Sequence, residues 1–113
     1  MAAPLVRHLL IDAKGCTGLL NDADGLLALS KAAARVVGAT EMGEARACYV
    51  PHGVTTVLFL AESHILVSTW PELGTALVDI LICDPEMSPM EAWEHMARQL
   101  CPEAVEIHHV SRG

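Results

Sequence analysis

The tripeptide Glu62-Ser63-His64 places a hydroxyl between a carboxylate and an imidazole. It lies between two apolar runs of strand length, Val54 to Ala61 and Ile65 to Trp70. So short a connection predicts an antiparallel hairpin, and polar residues are ordinary in such a turn. The Ser63 hydroxyl could act as a nucleophile if a base lies within hydrogen-bond reach, a distance that sequence alone does not give.

The cysteines and histidines give no further local motif. The four cysteines are Cys16, Cys48, Cys83 and Cys101, and no two of them form a C-x-x-C pair. We therefore expect neither a structural zinc site nor a disulfide scaffold. Taken alone, Cys83 is typical of a strand cysteine in the core. His52 and the pair His108-His109 have no carboxylate or thiol at ligand spacing, so we expect no metal site.

Composition limits the classes of partner. The chain has 113 residues, of which 52% are hydrophobic and 19% charged, which predicts one folded domain spanning residues 1–113. A net charge of −7 argues against nucleic acid or an anionic membrane as the main partner and favours a small or cationic ligand. Apolar runs are too short for a membrane span, and charged residues follow the N-terminus too soon for a signal peptide, so we expect a cytoplasmic protein.

Capping residues predict two helices. Asn21 and Asp22 are N-cap candidates for the first helix, and Gly38 is a natural C-cap. Ser88 begins the second with a capping box and a proline at the first helical position, and this helix runs to about Leu100.

Turn residues divide the remaining chain into six strands. The predicted strands are Leu5 to Asp12, Glu41 to Val50, Val54 to Ala61, Ile65 to Trp70, Ala76 to Cys83 and Val105 to Val110. The fifth is apolar except at Asp79, which is typical of a largely buried strand. The order β-α-β-β-β-β-α-β predicts an α+β two-layer sandwich, an antiparallel sheet with two helices packed on one face.

The segment from Glu62 to Cys83, ESHILVSTWPELGTALVDILIC, resembles the signature of the prokaryotic S-adenosylmethionine decarboxylase proenzymes. Their pattern is E-S-H and a hydrophobic residue, then H-T-W-P-E, a glycine, and an apolar strand ending in cysteine. Three other segments are also similar to the family. Val6-Arg7-His8-Leu9-Leu10 resembles its first strand, Pro51-His52-Gly53-Val54 its P-x-G-V turn, and Ala92-Trp93-Glu94-His95 its second helix. The resemblance covers nearly the whole chain.

The resemblance implies a pyruvoyl enzyme that makes its cofactor from its own backbone. Ser63 would attack the carbonyl carbon of Glu62, and the chain would be cut between these two residues into a β chain of residues 1–62 and an α chain of residues 63–113. Residue 63 would become a pyruvoyl group, which forms a Schiff base with the substrate and serves as the electron sink for decarboxylation. No external cofactor is then required.

The resemblance also implies roles for four further residues. Cys83 matches the cysteine that returns a proton to the substrate's α-carbon, and Glu72 matches the acid that holds the ribose hydroxyls of S-adenosylmethionine. Taken alone, Glu72 is typical of a solvated turn residue. Tyr49 and Trp70 could hold adenine by stacking or a sulfonium by cation–π attraction. A core-anchoring role is an equal alternative for Trp70.

Two positions depart from the family pattern. Ser68 stands where the family has a histidine that is implied to assist processing and to line the adenine site. A serine hydroxyl cannot take up a proton as imidazole does, so His64 or His52 would have to substitute, or elimination would be slow. Thr55 stands where the family usually has serine, and it retains the hydroxyl.

Three functions are compatible with this sequence. The first is a decarboxylase of S-adenosylmethionine that supplies the aminopropyl donor for spermidine synthesis. The second is a pyruvoyl decarboxylase with a changed substrate, ornithine or arginine, and the third is an unprocessed regulatory or binding paralogue. The resemblance implies a homodimer of αβ protomers with residues of both subunits at each site, and a sheet with one uncovered face is compatible with a two-fold partner.

Overall fold

The computed structural model describes residues 3–113, which form six strands and two helices in the predicted order. The elements are β1 (Val6–Lys14), α1 (Ala23–Val37), β2 (Glu41–Cys48), β3 (Val54–Leu60), β4 (Ser63–Trp70), β5 (Thr75–Ile82), α2 (Pro89–Leu100) and β6 (Ala104–Arg112), with a 3-10 turn at Pro71–Leu73. The strands form one sheet in the order β2-β3-β4-β5-β1-β6, and every neighbouring pair is antiparallel. The predicted α+β two-layer sandwich is confirmed.

Helix α1 begins and ends at predicted caps. The Asp22 carboxylate accepts a hydrogen bond from the Gly25 amide at 2.8 Å, and Gly38 adopts a left-handed conformation with φ of 84° at the C-cap. Asn21, the other N-cap candidate, does not cap the helix. Its side-chain oxygen accepts a hydrogen bond from the Gly53 amide instead, at 2.8 Å, and so connects the start of α1 to the turn between β2 and β3.

Helix α2 also begins where its capping box predicts. The Ser88 hydroxyl accepts a hydrogen bond from the Glu91 amide at 3.3 Å, and Pro89 occupies the first helical turn, where its missing N–H costs nothing. Both helices pack on the same face of the sheet and against each other. The largest buried side chains of this core include Ile11, Leu26, Leu58, Ile65, Ile80, Ile82, Met96 and Leu100.

The other face of the sheet has no helix among the described residues, and we call it the open face. Strand side chains alternate between the two faces, and burial alternates with them in β3, β4 and β5. The fifth strand is largely buried, as predicted: Leu77, on the open face, is the one exposed residue of β5, at 37%. The apolar residues of the open face include Leu10, Val57, Phe59, Leu66, Leu77 and Leu81.

Two strand boundaries matter for the site. Ser63 and His64 were predicted in the hairpin connection, but both belong to β4, because Leu60 pairs with Ser63 and the loop is only Ala61–Glu62. Cys83 was predicted inside the fifth strand but follows its last residue, Ile82. Beyond Ile82 the chain leaves the sheet, and the Arg7 guanidinium donates a hydrogen bond to the Asp84 carbonyl oxygen at 2.9 Å.

The remaining strand boundaries lie within two residues of the predicted ones, and the starts of β2 and β3 and the end of β4 coincide with them. Strand β2 ends at Cys48 because the Tyr49 amide donates a hydrogen bond to the Gly53 carbonyl oxygen at 2.8 Å, which closes the turn before β3. The antiparallel hairpin of β3 and β4 is confirmed.

Candidate active site

The first part of the site lies at the β3–β4 hairpin, and we call Glu62, Ser63 and Cys83 the hairpin cluster. The Ser63 hydroxyl accepts a hydrogen bond from the Cys83 amide at 3.2 Å and donates one to the Cys83 sulfur at 3.5 Å. The Cys83 thiol in turn faces the Glu62 carboxylate, with Sγ 3.8 Å from Oε2. Three residues singled out from the sequence are therefore in mutual contact, because β4 begins beside the end of β5.

The backbone of Glu62 is strained. Its φ of 60° lies in the left-handed region, which costs a residue other than glycine roughly 1–2 kcal/mol. Strain of this kind persists where the surrounding structure enforces it and is concentrated at functional sites. The strained residue immediately precedes Ser63, and it is one of three described residues other than glycine with a positive φ, the others being Leu19 and Cys101.

A pocket of about 230 Å³ opens beside the hairpin cluster and is also lined by Ala39, Thr40, Ala61, Asp84 and Met87. Pockets that enclose a drug-sized ligand have volumes of roughly 300–1,000 Å³. This pocket lies below that range and can accommodate a small reacting group.

The second part of the site is the aromatic pocket, of about 290 Å³, at the opposite end of β3 and β4. Its lining residues are Tyr49, His52, Thr55, Ser68, Thr69, Trp70 and Glu72. Thr55 and Ser68 are register partners on the open face, and their hydroxyls are 3.1 Å apart. The Tyr49 hydroxyl donates to Thr55 Oγ1 at 3.0 Å. Ser68, which departs from the pattern described above, therefore belongs to a chain of three hydroxyls.

Aromatic and acidic side chains form the rim of this pocket. Trp70 is 39% exposed and Tyr49 is 52% exposed, so the alternative in which Trp70 anchors the core is wrong. Glu72 lies in the 3-10 turn after β4, and its Oε2 is 3.2 Å from Nε2 of His52. The pocket thus presents two aromatic side chains and a carboxylate to a ligand.

The sequence did not indicate that two residues, Thr69 and Asn21, support the aromatic pocket. The buried Thr69 hydroxyl donates to the Leu20 carbonyl oxygen at 2.6 Å and accepts from the Val54 amide at 3.0 Å. Asn21 supports the adjacent turn through Gly53. The alternation of β4 places Thr69 on the core face with Ile65, a signal that could have indicated its burial, whereas nothing local indicates the long-range contact of Asn21.

The two parts of the site do not meet within one chain. Ser63 and Ser68 are five residues apart along an extended strand, a separation of about 16 Å. Neither Ser68 nor Thr55 can therefore contact the Ser63 of its own chain.

His64, the alternative base, points to the open face. Its ring meets the His8 ring edge-on, with ring centroids 6.2 Å apart. Burial lowers the pKa of His64 and the charge of His8 lowers it further, while Asp79 opposes both effects. Among the described residues no hydrogen bond joins the side chains of His64 and Ser63, although the two residues are adjacent in sequence.

The histidine pair of β6 has carboxylate neighbours that the sequence argument missed. Ligand atoms of Asp12, Glu106 and His108 lie within 4.8 Å of one another, because Asp12 is the register partner of Glu106. The expectation that no carboxylate stands near this pair was wrong. The His108 imidazole is 3.6 Å from the Glu106 carboxylate, an exposed polar contact, and we propose no metal here.

Fold and site together define a two-layer α+β sandwich with a serine–thiol pair at a strained hairpin. A sequence model of the family described as S-adenosylmethionine decarboxylase matches residues 7–113. The chain belongs to this family. Within residues 3–113, none of the helices has the length and apolar character needed to cross a membrane.

Individual relatives agree with this assignment. The chain is 33% identical to an S-adenosylmethionine decarboxylase proenzyme of Methanococcus maripaludis over 110 residues, which are 96% of this chain and 90% of the relative. It is 34% identical to one from Caldanaerobacter subterraneus subsp. tengcongensis, covering 96% and 89% of the two chains. The crystal structure of the adenosylmethionine decarboxylase from Aquifex aeolicus superposes with a TM-score of 0.90 at 31% identity, covering 99% of this chain and 93% of that one.

Proposed function

We propose that this protein is a self-processing, pyruvoyl-dependent decarboxylase of S-adenosylmethionine. The observation that carries the proposal is the hairpin cluster, in which the Ser63 hydroxyl is held by the Cys83 amide and thiol directly after the strained Glu62. Family membership and relatives named as proenzymes of this decarboxylase support it.

Processing begins with the Ser63 hydroxyl. Its Oγ attacks the carbonyl carbon of Glu62, the C–N bond of the peptide breaks, and an ester joins the two halves of the chain. Removal of the Ser63 α-proton then expels the Glu62 carboxylate. Water hydrolyses the resulting dehydroalanine after tautomerisation and releases ammonia, which leaves a pyruvoyl group at residue 63. The products are residues 1–62 and residues 63–113.

The residues around position 63 fit such a group. The strained Glu62 favours release of the peptide, and the small pocket beside Ser63 leaves room for a reacting carboxylate. The pyruvoyl group supplies an electron sink for the pair left when carbon dioxide departs. Cys83 then donates a proton to the substrate's α-carbon, since a thiol can act as a general acid.

The aromatic pocket binds the nucleoside in this proposal. The Glu72 carboxylate accepts hydrogen bonds from the ribose hydroxyls, for which its oxygens have free lone pairs. Trp70 and Tyr49 offer exposed aromatic surface to the adenine ring or the sulfonium. A net charge of −7 favours the approach of a cationic substrate and disfavours nucleic acid as a partner.

We propose that one active site is assembled from two chains. The hairpin cluster and the aromatic pocket are about 16 Å apart along β4, and both pockets are smaller than those that usually enclose a drug-sized ligand. The open face exposes apolar side chains that a second copy would bury, Phe59 being 48% exposed. Sheets packed face to face keep their strands nearly aligned, so a two-fold axis perpendicular to the strands brings opposite ends together. The enzyme is thus a homodimer of αβ protomers.

The product of this reaction is decarboxylated S-adenosylmethionine, the aminopropyl donor for spermidine synthesis. In the same proposal the reaction takes place in the cytoplasm. The presence of Ser68 instead of the family's histidine in the aromatic pocket favours a second candidate, a pyruvoyl decarboxylase that accepts ornithine or arginine.

Two measurements test the proposed function. Intact mass of the purified 12.1 kDa chain should give two fragments, of which the one beginning at residue 63 reacts with hydrazine through its carbonyl. A chain that never splits and never acquires this carbonyl would leave only an unprocessed regulatory or binding paralogue. Carboxyl-labelled S-adenosylmethionine should release labelled carbon dioxide, whereas release from ornithine or arginine alone would favour the second candidate.

A further inference from the structure

His52 lies in the aromatic pocket but has no part in the reaction described above. It belongs to the turn between β2 and β3, whereas Glu72 belongs to the 3-10 turn between β4 and β5. The Nε2 atom of His52 is 3.2 Å from Oε2 of Glu72 and makes the direct side-chain contact between these two turns. Both side chains are partly exposed, at 36% and 48%, so a ligand can reach them.

The turn that carries His52 is held firmly. The Gly53 amide donates to Asn21 Oδ1 at 2.8 Å, and the Gly53 carbonyl oxygen accepts from the Tyr49 amide at 2.8 Å. Gly53 has φ of 101°, and a side chain there would place its Cβ 3.2 Å from the Thr69 carbonyl oxygen. Two hydrogen bonds of Gly53 therefore fix the turn directly after His52.

Glu72 has less support of its own. Among the described residues its carboxylate makes one polar side-chain contact, the one to His52. Its 3-10 turn is closed by a hydrogen bond from the Gly74 amide to the Pro71 carbonyl oxygen at 3.1 Å. A glutamate side chain that is free to rotate loses conformational entropy when it binds a ligand, so a neighbour that orients it in advance raises affinity.

We propose that His52 is a positioning residue for Glu72. Its Nε2–H donates a hydrogen bond to Oε2 and holds the carboxylate so that its remaining lone pairs face the vicinal hydroxyls of a ribose. This inference rests on the proposed role of Glu72 in binding S-adenosylmethionine. Because the pair is exposed, it contributes little to folding stability, and its effect is on ligand affinity.

The test uses adenosine, which carries the ribose hydroxyls but cannot react. Calorimetry with the uncleaved Ser63→Ala chain measures its affinity without any contribution from the pyruvoyl group. His52→Ala should weaken adenosine binding about tenfold, as expected for a hydrogen bond to a charged group. His52→Gln should retain most of the affinity, because its amide can still donate to Glu72. His109→Ala, which changes an exposed histidine of β6, is the matched control and should bind normally.

Two further comparisons separate positioning from other roles. In the cleaved enzyme made from a chain that has Ser63, His52→Ala should raise KM about tenfold and leave kcat within about twofold, because an interaction equal in ground and transition states changes only KM. In a chain that carries Glu72→Gln, His52→Ala should reduce the affinity for adenosine less than it does in a chain with Glu72, since the two residues act through one contact.

Three results would overturn the inference: normal adenosine binding by His52→Ala, equal losses in His52→Ala and His52→Gln, or a fall in kcat with KM unchanged. If adenosine binding responds as expected but S-adenosylmethionine is not decarboxylated, the positioning role of His52 stands and the proposed function is wrong.

Discussion

The hairpin cluster and the aromatic pocket lie at opposite ends of β4 and differ in how the chain builds them. Glu62 and Ser63 are adjacent in sequence, and only Cys83 is brought to them by the pairing of β4 with β5. The aromatic pocket collects residues from two turns and two strands. Sequence proximity therefore specifies the reactive end, whereas the binding end depends on tertiary structure.

The two regions also differ in backbone strain and in polar chemistry. In the hairpin cluster the backbone of Glu62 has a left-handed conformation, and the Cys83 thiol contacts the Ser63 hydroxyl. The aromatic pocket has hydroxyls hydrogen-bonded in series and a carboxylate paired with an imidazole. This contrast indicates that one end breaks and forms covalent bonds while the other binds and orients the substrate, and variants at the two ends should fail in different ways.

The largest effect is expected from Ser63→Ala. Without the hydroxyl there is no nucleophile for the peptide bond after Glu62, so cleavage and decarboxylation should both be abolished. Intact mass and labelled carbon dioxide release measure the two losses. Ser111→Ala, a serine in β6, should cleave and react normally, and a Ser63→Ala chain that still splits after Glu62 would contradict the proposed chemistry.

Cys83→Ala should separate processing from turnover. General acid–base groups typically contribute 10²- to 10⁴-fold, so kcat should fall by about a hundredfold or more in chains that have been cleaved. Steady-state formation of the decarboxylated product, normalised to the carbonyl content, measures kcat, because the product leaves only after its α-carbon has been protonated. Cys48→Ala in β2 is the matched cysteine control, and an unchanged kcat in Cys83→Ala would exclude the thiol as the proton donor.

Ser68→His should accelerate processing. An imidazole at this position adds a group that exchanges protons near neutral pH beside Thr55, where only hydroxyls now lie. We expect the cleavage rate to rise about tenfold in a time course of intact mass, within the usual range for general acid–base assistance. An unchanged rate would show that another residue has already taken the role of the missing histidine.

The smallest effect concerns His64 on the open face. Burial lowers its pKa, helped by His8 and opposed by Asp79, so the unfolded chain binds a proton at a higher pH than the folded chain. Proton binding by His64 in the unfolded chain therefore lowers the free energy of unfolding as the pH falls below the ordinary imidazole pKa, near 6.5. When the pH is lowered from 7.5 to 5, the free energy of unfolding measured by urea titration should therefore decrease less in His64→Asn than in the wild-type chain. An equal or greater loss would contradict this assignment.

Much of the fold follows from local signals. Asp22, Gly38 and Ser88 cap the helices as predicted, because their side chains or backbone conformations satisfy helix ends whatever the packing. The end of β5 was predicted one residue too late, at Cys83, because the contact of Arg7 with the Asp84 carbonyl oxygen joins residues 77 positions apart and leaves no local signal.

The site was predictable to different extents at its two ends. The resemblance identified Ser63 and Cys83 together, and they are in contact. The contact of His52 with Glu72 and that of Asn21 with Gly53 could not be found, because each joins separate loops without a pattern of spacing. The distance between Ser63 and Ser68 follows from strand geometry, but only once both residues are known to lie in one strand.

Mixed dimers test most directly whether the two regions of different chains form one site. Ser63→Ala lacks the reactive end and Glu72→Ala lacks the carboxylate of the binding end, so each variant alone should have little or no activity. When the two are co-expressed, about half of the dimers should be mixed and have one intact site of two, which restores about a quarter of wild-type carbon dioxide release. Activity no higher than that of the separate variants would contradict a site shared between chains.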